Sequence, residues 1–121
     1  MNNNIKSNLL HKYPKLFDTK DWKQDREIQC GDGWYFLIDF LCDTIQDFID
    51  NNEFAEQIKL VEVKEKIGGL RLYTDGGGDL IYGMIWFAEA MSRKICEKCG
   101  GKGETVKVNK KTKTLCIGCM S

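Results

Sequence analysis

Residues 61–78 read VEVKEKIGGLRLYTDGGG, and this stretch decides the fold because it holds both strands of a hairpin. Apolar and polar residues alternate on both sides of a glycine pair, which is the pattern of two antiparallel strands over residues 58–74. We expect the turn at Gly68 and Gly69. Since side chains alternate between the two faces of a strand, one face is predicted to join the core, with Val61, Val63, Ile67, Leu70 and Leu72.

The opposite face of this hairpin is predicted to gather cations beside an aromatic ring, with Lys64, Lys66, Arg71 and Tyr73. A turn at the glycine pair sets Lys66 across from Arg71, and like charges across a strand pair repel each other. A bound anion such as a phosphate would relieve this repulsion. The free amides of the helix that follows favour the same charge, and they come directly after Gly76, Gly77 and Gly78. Two alternatives stay open, since Glu62 shares this face and water alone can solvate the cluster.

Helices are predicted on both sides of the hairpin. The run GWYFLIDFLCDTIQDFIDNN, residues 33–52, has apolar residues at helical spacing, and Asp32 is placed to cap its first turn. A second helix is expected over about residues 79–95, and a short one within residues 5–17 that breaks near Pro14. This order of elements indicates an α+β fold in which two main helices pack on the hairpin.

The helix at 33–52 is expected to be buried on more than one side. One stripe at helical spacing faces the core, namely Trp34, Leu37, Ile38, Leu41, Ile45, Phe48 and Ile49. Phe36 and Phe40 widen that apolar surface, so we expect a second cover over them. The polar segment before the helix is predicted to be anchored by Trp22 and Ile28.

Four of the six cysteines form two Cys-x-x-Cys pairs, CEKC and CIGC, which contain Cys96, Cys99, Cys116 and Cys119. Two such pairs in a chain without an export signal are typical of a metal site rather than of disulfides. The segment between them is predicted to be a small hairpin that turns near Asn109. Residues 96–121 would then form a zinc ribbon on a body of residues 1–95. Four thiolates close a tetrahedral Zn²⁺ site and leave no position for water, so the zinc is expected to be structural.

The remaining cysteines, Cys30 and Cys42, are expected to carry no chemistry. Cys42 lies on the buried helix, where a thiol behaves as a small apolar group. The one histidine, His11, lies in the first helix, and a Cys/His nucleophile is not favoured. The aspartates of the long helix are spaced as a solvated polar face, with Asp39, Asp43, Asp47 and Asp50. The chain is therefore not expected to be an enzyme.

Charge is unevenly divided along the chain. Residues 1–92 hold 10 Lys and Arg against 16 Asp and Glu, whereas residues 93–121 hold 8 against 2. A basic terminal segment favours contact with nucleic acid or with an acidic partner. The chain has no apolar run of about 18 residues, and its first residues, MNNNIKSNLLHKYPKLF, lack the apolar centre of a signal peptide. The expected location is the cytoplasm, without membrane contact.

Three motifs taken together resemble a group of small phage and prophage proteins. They are CGDGWYFLIDFLCD, VKEKIGGLRLY and the cysteine pairs CEKCG and TLCIGC, which together span residues 30–119. In that group GDGW, VKEK-aromatic-GGLR-aromatic-Y and a terminal Cys-x-x-C pair recur in this order. Ile67 stands here where an aromatic residue is common. The resemblance implies a phage-type accessory protein that works in the host cytoplasm.

Three functions agree with these residues. The first is a non-enzymatic protein that counters host immunity, either by binding a nucleotide signal at the cationic hairpin face or by occupying a surface of a defence complex. The second is a nucleic-acid-binding zinc ribbon whose basic tail follows phosphates through Lys107, Lys110, Lys111 and Lys113. This tail has no aromatic residue between positions 96 and 121 to stack on bases. The third is an interaction protein in which zinc only holds the ribbon together and charge directs docking.

Overall fold

The computed structural model describes residues 1–18 and 28–120, and it confirms the α+β fold. Its helical elements are α1 (Asn3–Lys12), a 3₁₀ turn (Asp32–Trp34), α2 (Tyr35–Asp50), α3 (Asp79–Ser92) and α4 (Ile117–Met120). Its strands form two antiparallel hairpins, β1 (Lys59–Lys66) with β2 (Gly69–Asp75) and β3 (Glu104–Val108) with β4 (Lys111–Leu115). Trp22 lies outside the described residues, whereas Ile28 is buried as expected. Within the described ranges, no helix has the length and apolar character needed to span a bilayer.

The first hairpin turns one residue earlier than predicted. Ile67 and Gly68, with φ of 50° and 81°, form the turn, and Gly69 begins β2 opposite Lys66. Two consecutive positive φ angles match the right-handed twist of the flanking strands. Gly69 stays in the strand, where its Cα faces the guanidinium of Arg93, and a Cβ there would approach the guanidinium to 3.0 Å.

The prediction that Lys66 lies opposite Arg71 was therefore wrong, because the earlier turn pairs Arg71 with Lys64. Moving the turn by one residue shifts the pairing between the two strands by two residues. Because side chains alternate with a period of two, this shift leaves the strand residues on the faces that were predicted. The exceptions are Ile67, which lies in the turn and is 69% exposed, and Val61, which lies at a bulge in β1 and is half-buried while Leu60 joins the core in its place. The cationic residues of the hairpin consequently share one face even though their partners differ.

The core lies between the apolar face of this hairpin, α2 and α3. The hairpin contributes Leu60, Val63, Leu70 and Leu72. The stripe predicted on α2 is buried, with Phe48 only partly so. α3 contributes Ile81, Ile85 and Ala88, and the segment around α1 adds Leu9, Leu16 and Phe17. Burial of a large apolar side chain is worth about 1.5–3 kcal/mol, so this cluster holds the helices on the hairpin.

The second cover predicted over α2 is not formed by the described residues. Phe36 and Phe40 are 75% and 62% exposed, and they stack on each other with ring centroids 6.4 Å apart. The two phenylalanines lie beside the buried stripe and point away from it. α2 is therefore buried along one stripe, and its aromatic pair is open.

Both edges of the first hairpin are covered by other parts of the chain. Along β1, the backbone of Gln29 makes two hydrogen bonds with the strand, at 2.8 and 2.9 Å. Along β2, two side chains of α3, Ser92 Oγ and Glu89 Oε2, accept from backbone N–H groups of the strand at 2.9 and 3.0 Å. A two-stranded hairpin is marginally stable alone in water, so these contacts complete what would otherwise be exposed edges.

Asp32 does not cap α2 as predicted. Its Oδ1 accepts from the N–H of Asn2 at 2.7 Å, and the residue begins the 3₁₀ turn that precedes the helix. The residue before α2, Trp34, makes no side-chain capping hydrogen bond to the helix. The chain enters α2 through the 3₁₀ turn because the glycines of GDGW are held against the ribbon.

These two glycines bring the backbone of the body against the backbone of the first cysteine pair. The Gly33 N–H donates to the Glu97 carbonyl at 2.7 Å. A Cβ at Gly33 would lie 2.1 Å from the Cys96 carbonyl oxygen, and one at Gly31 would lie 2.4 Å from that of Glu97. Real Cβ atoms do not approach so closely, so only glycine permits this contact.

Further hydrogen bonds hold the ribbon and the last residue before it. Trp34, fully buried, donates from Nε1 to the Ile95 carbonyl at 2.8 Å. Thr114 of β4, also fully buried, donates from Oγ1 to the Gly68 carbonyl at 2.6 Å. The division into a body of residues 1–95 and a ribbon of residues 96–121 stays a prediction, and the bond from Thr114 to Gly68 crosses it.

Replacing Gly33 with alanine is expected to lower the free energy of unfolding by about 2–3 kcal/mol, because the added methyl group overlaps the Cys96 carbonyl. Gly83→Ala is the matched control, since Gly83 lies within α3 and nothing stands within 4 Å of its Cβ position. Alanine there should raise the free energy of unfolding by about 0.5–1 kcal/mol. Urea denaturation followed by circular dichroism measures both, and equal stability of the two variants would contradict the close contact.

Candidate functional site

The four predicted metal ligands lie together. The Sγ atoms of Cys96, Cys99, Cys116 and Cys119 all lie within 4.8 Å of one another. Those of Cys99 and Cys116 are 3.6 Å apart. Tetrahedral Zn–S bonds of about 2.3 Å place sulfur atoms about 3.8 Å from each other. The cluster therefore has the size and the donor set of a closed site that could hold a metal ion.

Tight turns bring the two cysteine pairs face to face. Asn109 and Lys110, with φ of 51° and 69°, join β3 to β4 at the predicted position. After the first pair, Gly100 adopts a φ of 84°, and the Gly101 N–H donates to Cys99 Sγ at 3.4 Å. Donors of this kind orient the sulfur atoms and stabilise them as thiolates.

Cys96 is the buried member of the cluster. Burial favours its neutral thiol, but backbone N–H groups of Cys116, Cys99 and Lys98 donate to the sulfur and lower its pKa to about 6. The thiol of Cys119 shows the opposite shift, since hydrogen bonds with the sulfurs of Cys116 and Cys96 raise its pKa to about 12. A metal cation among the sulfurs favours the thiolate at every position.

Cys30 and Cys42 lie apart from this cluster. Cys42 is fully buried in α2, as predicted, and burial raises its pKa. Cys30 is 6% exposed, and burial, followed by the charge of Glu97, raises its pKa to about 12. Both side chains are therefore neutral thiols near pH 7, and the neutral thiol is not the nucleophilic form of cysteine.

The cationic face of the first hairpin consists of Lys64, Lys66, Arg71 and Tyr73. Lys64 Nζ lies 2.9 Å from Glu62 Oε1, and this hydrogen bond raises the Lys64 pKa. The same ammonium lies 5.7 Å from the centre of the Tyr73 ring. Arg71 Nη1 lies 3.8 Å from Glu89 Oε1, and the other oxygen of Glu89 accepts a backbone N–H of β2. The carboxylates of this face thus compete with any bound anion, most directly at Lys64.

Arg93 is a further cation on this face, and the sequence analysis did not identify it. Its guanidinium lies 3.0–3.2 Å from the Cβ position of Gly69, which is opposite Lys66 on the cationic face. Among residues 1–18 and 28–120, no carboxylate forms an ion pair with Arg93 or Lys66. Four cations, those of Lys64, Lys66, Arg71 and Arg93, therefore lie near the two carboxylates of Glu62 and Glu89. The sequence spacing could have indicated this position, because Arg93 follows Glu89 by one helical turn and therefore lies on the same side of the helix.

The cationic face borders a cleft of about 500 Å³ between β2 and α3. Arg71 and Tyr73 line its strand side, and Tyr82 and Trp86 line its helix side. The three aromatic side chains Tyr73, Tyr82 and Trp86 are 42%, 51% and 74% exposed. Tyr82 and Trp86 were not identified from the sequence, although residues four apart share one side of a helix. The cleft combines a guanidinium with three open aromatic rings.

Gly76, Gly77 and Gly78 line a different concavity, of about 460 Å³. Its charged side chains among the described residues are those of Glu56 and Asp79, and no lysine or arginine of those residues lines it. Gly76 and Gly77 have φ of 87° and 136°, so the glycines permit the turn from β2 into α3. The structure does not bring the glycines and the hairpin cations into one pocket.

The ribbon lysines predicted to contact nucleic acid lie around the β3–β4 turn. Lys107, Lys110 and Lys111 are exposed, and Lys113 is half-buried. In this hairpin Val106 lies opposite Lys113, and Lys107 lies opposite Thr112. Because side chains alternate along a strand, Lys111 and Lys113 face one side of the hairpin and Lys107 faces the other.

Comparison with protein-family models, with curated proteins and with solved structures finds no match to this chain. Its function is therefore inferred from its own side chains. Two features of the described residues could hold a ligand, the four-cysteine cluster and the cleft beside the cationic face.

The purified protein is expected to hold one metal ion per chain, and Cys99→Ser should lose it because three thiolates no longer close the site. Cys30→Ser makes the same replacement of sulfur by oxygen outside the cluster, and this variant should keep full metal occupancy. Native mass spectrometry reads the metal count of each variant directly. A wild-type chain without metal, or a Cys99→Ser chain with undiminished occupancy, would contradict the assignment of the site.

Proposed function

We propose that this chain is a non-enzymatic phage-type accessory protein that counters host immunity by binding a nucleotide signal in the cleft between β2 and α3. The observation that carries the proposal is the meeting of Arg71 with three exposed aromatic side chains, Tyr73, Tyr82 and Trp86. A guanidinium suits the phosphate of a nucleotide, and an aromatic ring suits its base. The motif resemblance to phage proteins supports action in the host cytoplasm.

In this proposal, the cations along the hairpin face bind the phosphate. The planar guanidinium of Arg71 can hold a phosphate through two parallel hydrogen bonds. Its distance of 3.8 Å from Glu89 is longer than a hydrogen bond, so turning toward a ligand costs chiefly the hydrogen bond from Arg71 Nη1 to the Leu70 carbonyl, at 3.1 Å. Lys66 and Arg93, which have no ion pair among the described residues, add charge at the turn end of the face. Lys64 is already paired at 2.9 Å and is expected to add least.

In this proposal, the aromatic side chains that line the cleft bind the base. Stacking of a base on an aromatic side chain is worth about 1–3 kcal/mol and does not depend strongly on which base is present. Trp86, at 74% exposed, has the largest open ring surface on the helix side. Tyr73 lines the same cleft from the strand side. A base between these rings would place its phosphate toward Arg71.

The metal of the cysteine cluster is proposed to be Zn²⁺ in a structural role. Four sulfur donors in a closed set are the usual ligands of structural zinc. The ion would hold the first cysteine pair rigid, and this pair packs on Gly33 just before α2. Zinc therefore supports the body that carries the cleft and takes no part in ligand binding.

Nucleic-acid binding by the ribbon is the second candidate function. It is favoured by the exposure of Lys107, Lys110 and Lys111 around the ribbon turn. The lysines are divided between two faces of the hairpin, however, so fewer of them can meet one phosphate backbone at a time. Without an aromatic side chain in the ribbon, electrostatic contact would supply the whole of the affinity.

Arg71→Ala is expected to weaken nucleotide binding by about 10–100-fold, since the lost charge-assisted hydrogen bonds are worth about 1.5–3 kcal/mol. Thermal unfolding with a panel of mononucleotides and cyclic dinucleotides identifies the ligand, and titration calorimetry measures its affinity. Arg71→Lys keeps the charge without the planar fork and should bind with intermediate affinity. Trp86→Ala should weaken nucleotide binding while leaving the affinity for inorganic pyrophosphate unchanged.

Stability of the empty protein is the control for these variants. Arg71→Ala should change the free energy of unfolding by less than about 1 kcal/mol, as expected for a partly exposed ion pair. Lys15→Ala removes an exposed cation outside the cleft and should leave nucleotide affinity unchanged. Strong destabilisation of the empty Arg71→Ala chain would show that Arg71 is structural. A wild-type chain whose melting temperature no nucleotide raises would overturn the proposal.

Replacing Lys107, Lys110, Lys111 and Lys113 together with alanine tests the second candidate. If the ribbon binds nucleic acid, wild-type affinity should fall steeply with salt, because phosphate contacts release counterions. The quadruple variant should lose affinity for duplex and single strands of every sequence. Fluorescence anisotropy at about 50 mM salt measures both. A wild-type chain that does not bind at this salt would leave these lysines without a nucleic-acid role.

A further inference from the structure

We propose that two copies of this chain pair through the exposed surface between α2 and α3. This surface, the aromatic face, surrounds a groove of about 360 Å³ and includes Phe36, Phe40, Met84, Phe87, Met91 and Ile95. Phe36, Phe40 and Phe87 are 75%, 62% and 66% exposed, and Met91 is 41% exposed. The pairing is a property separate from the nucleotide binding proposed above, because it uses other residues.

The groove has no charged side chain among the described residues that line it. Those ten residues contribute one polar side chain, that of Thr44, and its hydroxyl already donates to the Phe40 carbonyl at 2.8 Å. Contiguous apolar surface of this kind usually marks an interaction site, and Phe and Met without charge are typical of interface centres. An uncharged surface meets its own copy without like-charge repulsion, whereas it offers a charged partner nothing to pair with.

The area of the aromatic face suits a weak dimer. A phenylalanine side chain offers about 150–250 Å², so three rings at these exposures present roughly 400 Å². With Met91 and the partly exposed floor of the groove, one copy contributes about 500–600 Å². A pair would then remove roughly 1,000–1,200 Å² from water, which lies below the area of stable interfaces and within that of weak, transient ones.

The shape of the face also suits a second copy. Phe36 and Phe40 are one helical turn apart on α2, and their stacked rings, with centroids 6.4 Å apart, form a ridge. The groove lies beside this ridge, between α2 and α3. In a two-fold pair the same patch meets itself, so a ridge needs a groove on its own surface. The aromatic face has both, and the ridge of each copy can enter the groove of the other.

The pairing leaves the nucleotide cleft open. Phe87 and Met91 lie on the side of α3 toward α2, whereas Tyr82 and Trp86 line the cleft toward β2. Ile85 is buried beneath the helix. A dimer formed through the aromatic face would therefore carry two separate clefts, one in each copy.

Sedimentation equilibrium of the wild-type chain over roughly 1–200 μM tests the pairing, because weak interfaces dissociate in the micromolar range. The average mass should rise from that of a monomer toward that of a dimer. Phe87→Asp and Phe36→Asp each place a charge twice in a two-fold interface and should weaken dimerisation at least about 30-fold. Both residues are mostly exposed in the single chain, so both variants should keep the wild-type circular dichroism.

Phe54→Asp is the matched control. Phe54 is 91% exposed but lies beside the glycine loop, outside the aromatic face, so this variant should dimerise like the wild type. A wild-type chain that stays monomeric through the whole range would overturn the proposal. So would folded Phe87→Asp and Phe36→Asp chains that dimerise normally, and if one of them fails to fold, the other decides. Nucleotide titration of monomeric Phe87→Asp keeps the two proposals separate, since its cleft is intact.

Discussion

The close approach of two backbones at Gly33 and Cys96 is the constraint on which the rest of the molecule depends. A Cβ at Gly33 would stand 2.1 Å from the Cys96 carbonyl oxygen, so the contact exists only because glycine has none. Trp34 follows at once, is fully buried, and donates to the Ile95 carbonyl. The start of α2 is thus held in place by the segment that leads into the cysteine cluster. A metal ion bound there would act on the helical body through backbone contact and not only on its own ribbon.

α3 separates the two surfaces proposed to bind. Its inner side packs into the core through Ile81 and Ile85, and Ser92 and Glu89 complete the hydrogen bonds of β2. The side toward β2 carries polar and aromatic groups next to cations, whereas the side toward α2 is apolar. Neighbouring residues on a helix differ by about 100° in direction, so Trp86 and Phe87 can serve different surfaces. One short helix therefore lines both of the surfaces proposed to bind, and the residues of one surface are not those of the other.

Several parts of the site could be predicted because they depend on local pattern alone. The cysteine spacing predicted the cluster, since two short turns and one hairpin suffice to bring the pairs together. The strand residues of the cationic face were predicted despite a misplaced turn, because a register shift of two residues preserves the alternation of side chains. The cross-strand partner of Arg71 was not predicted correctly, because the predicted turn lay one residue after the observed turn at Ile67 and Gly68.

The sequence by itself determined the α+β class, the buried stripe of α2 and the four clustered cysteines, because periodicity and spacing specify which residues share a side of an element. Only the tertiary structure decided which element covers that side. It placed Arg93 over Gly69 and Glu89 beside Arg71. It left Phe36 and Phe40 open to solvent. These outcomes depend on the packing of segments that are distant along the chain, and a pattern within one segment carries no information about the distance to another.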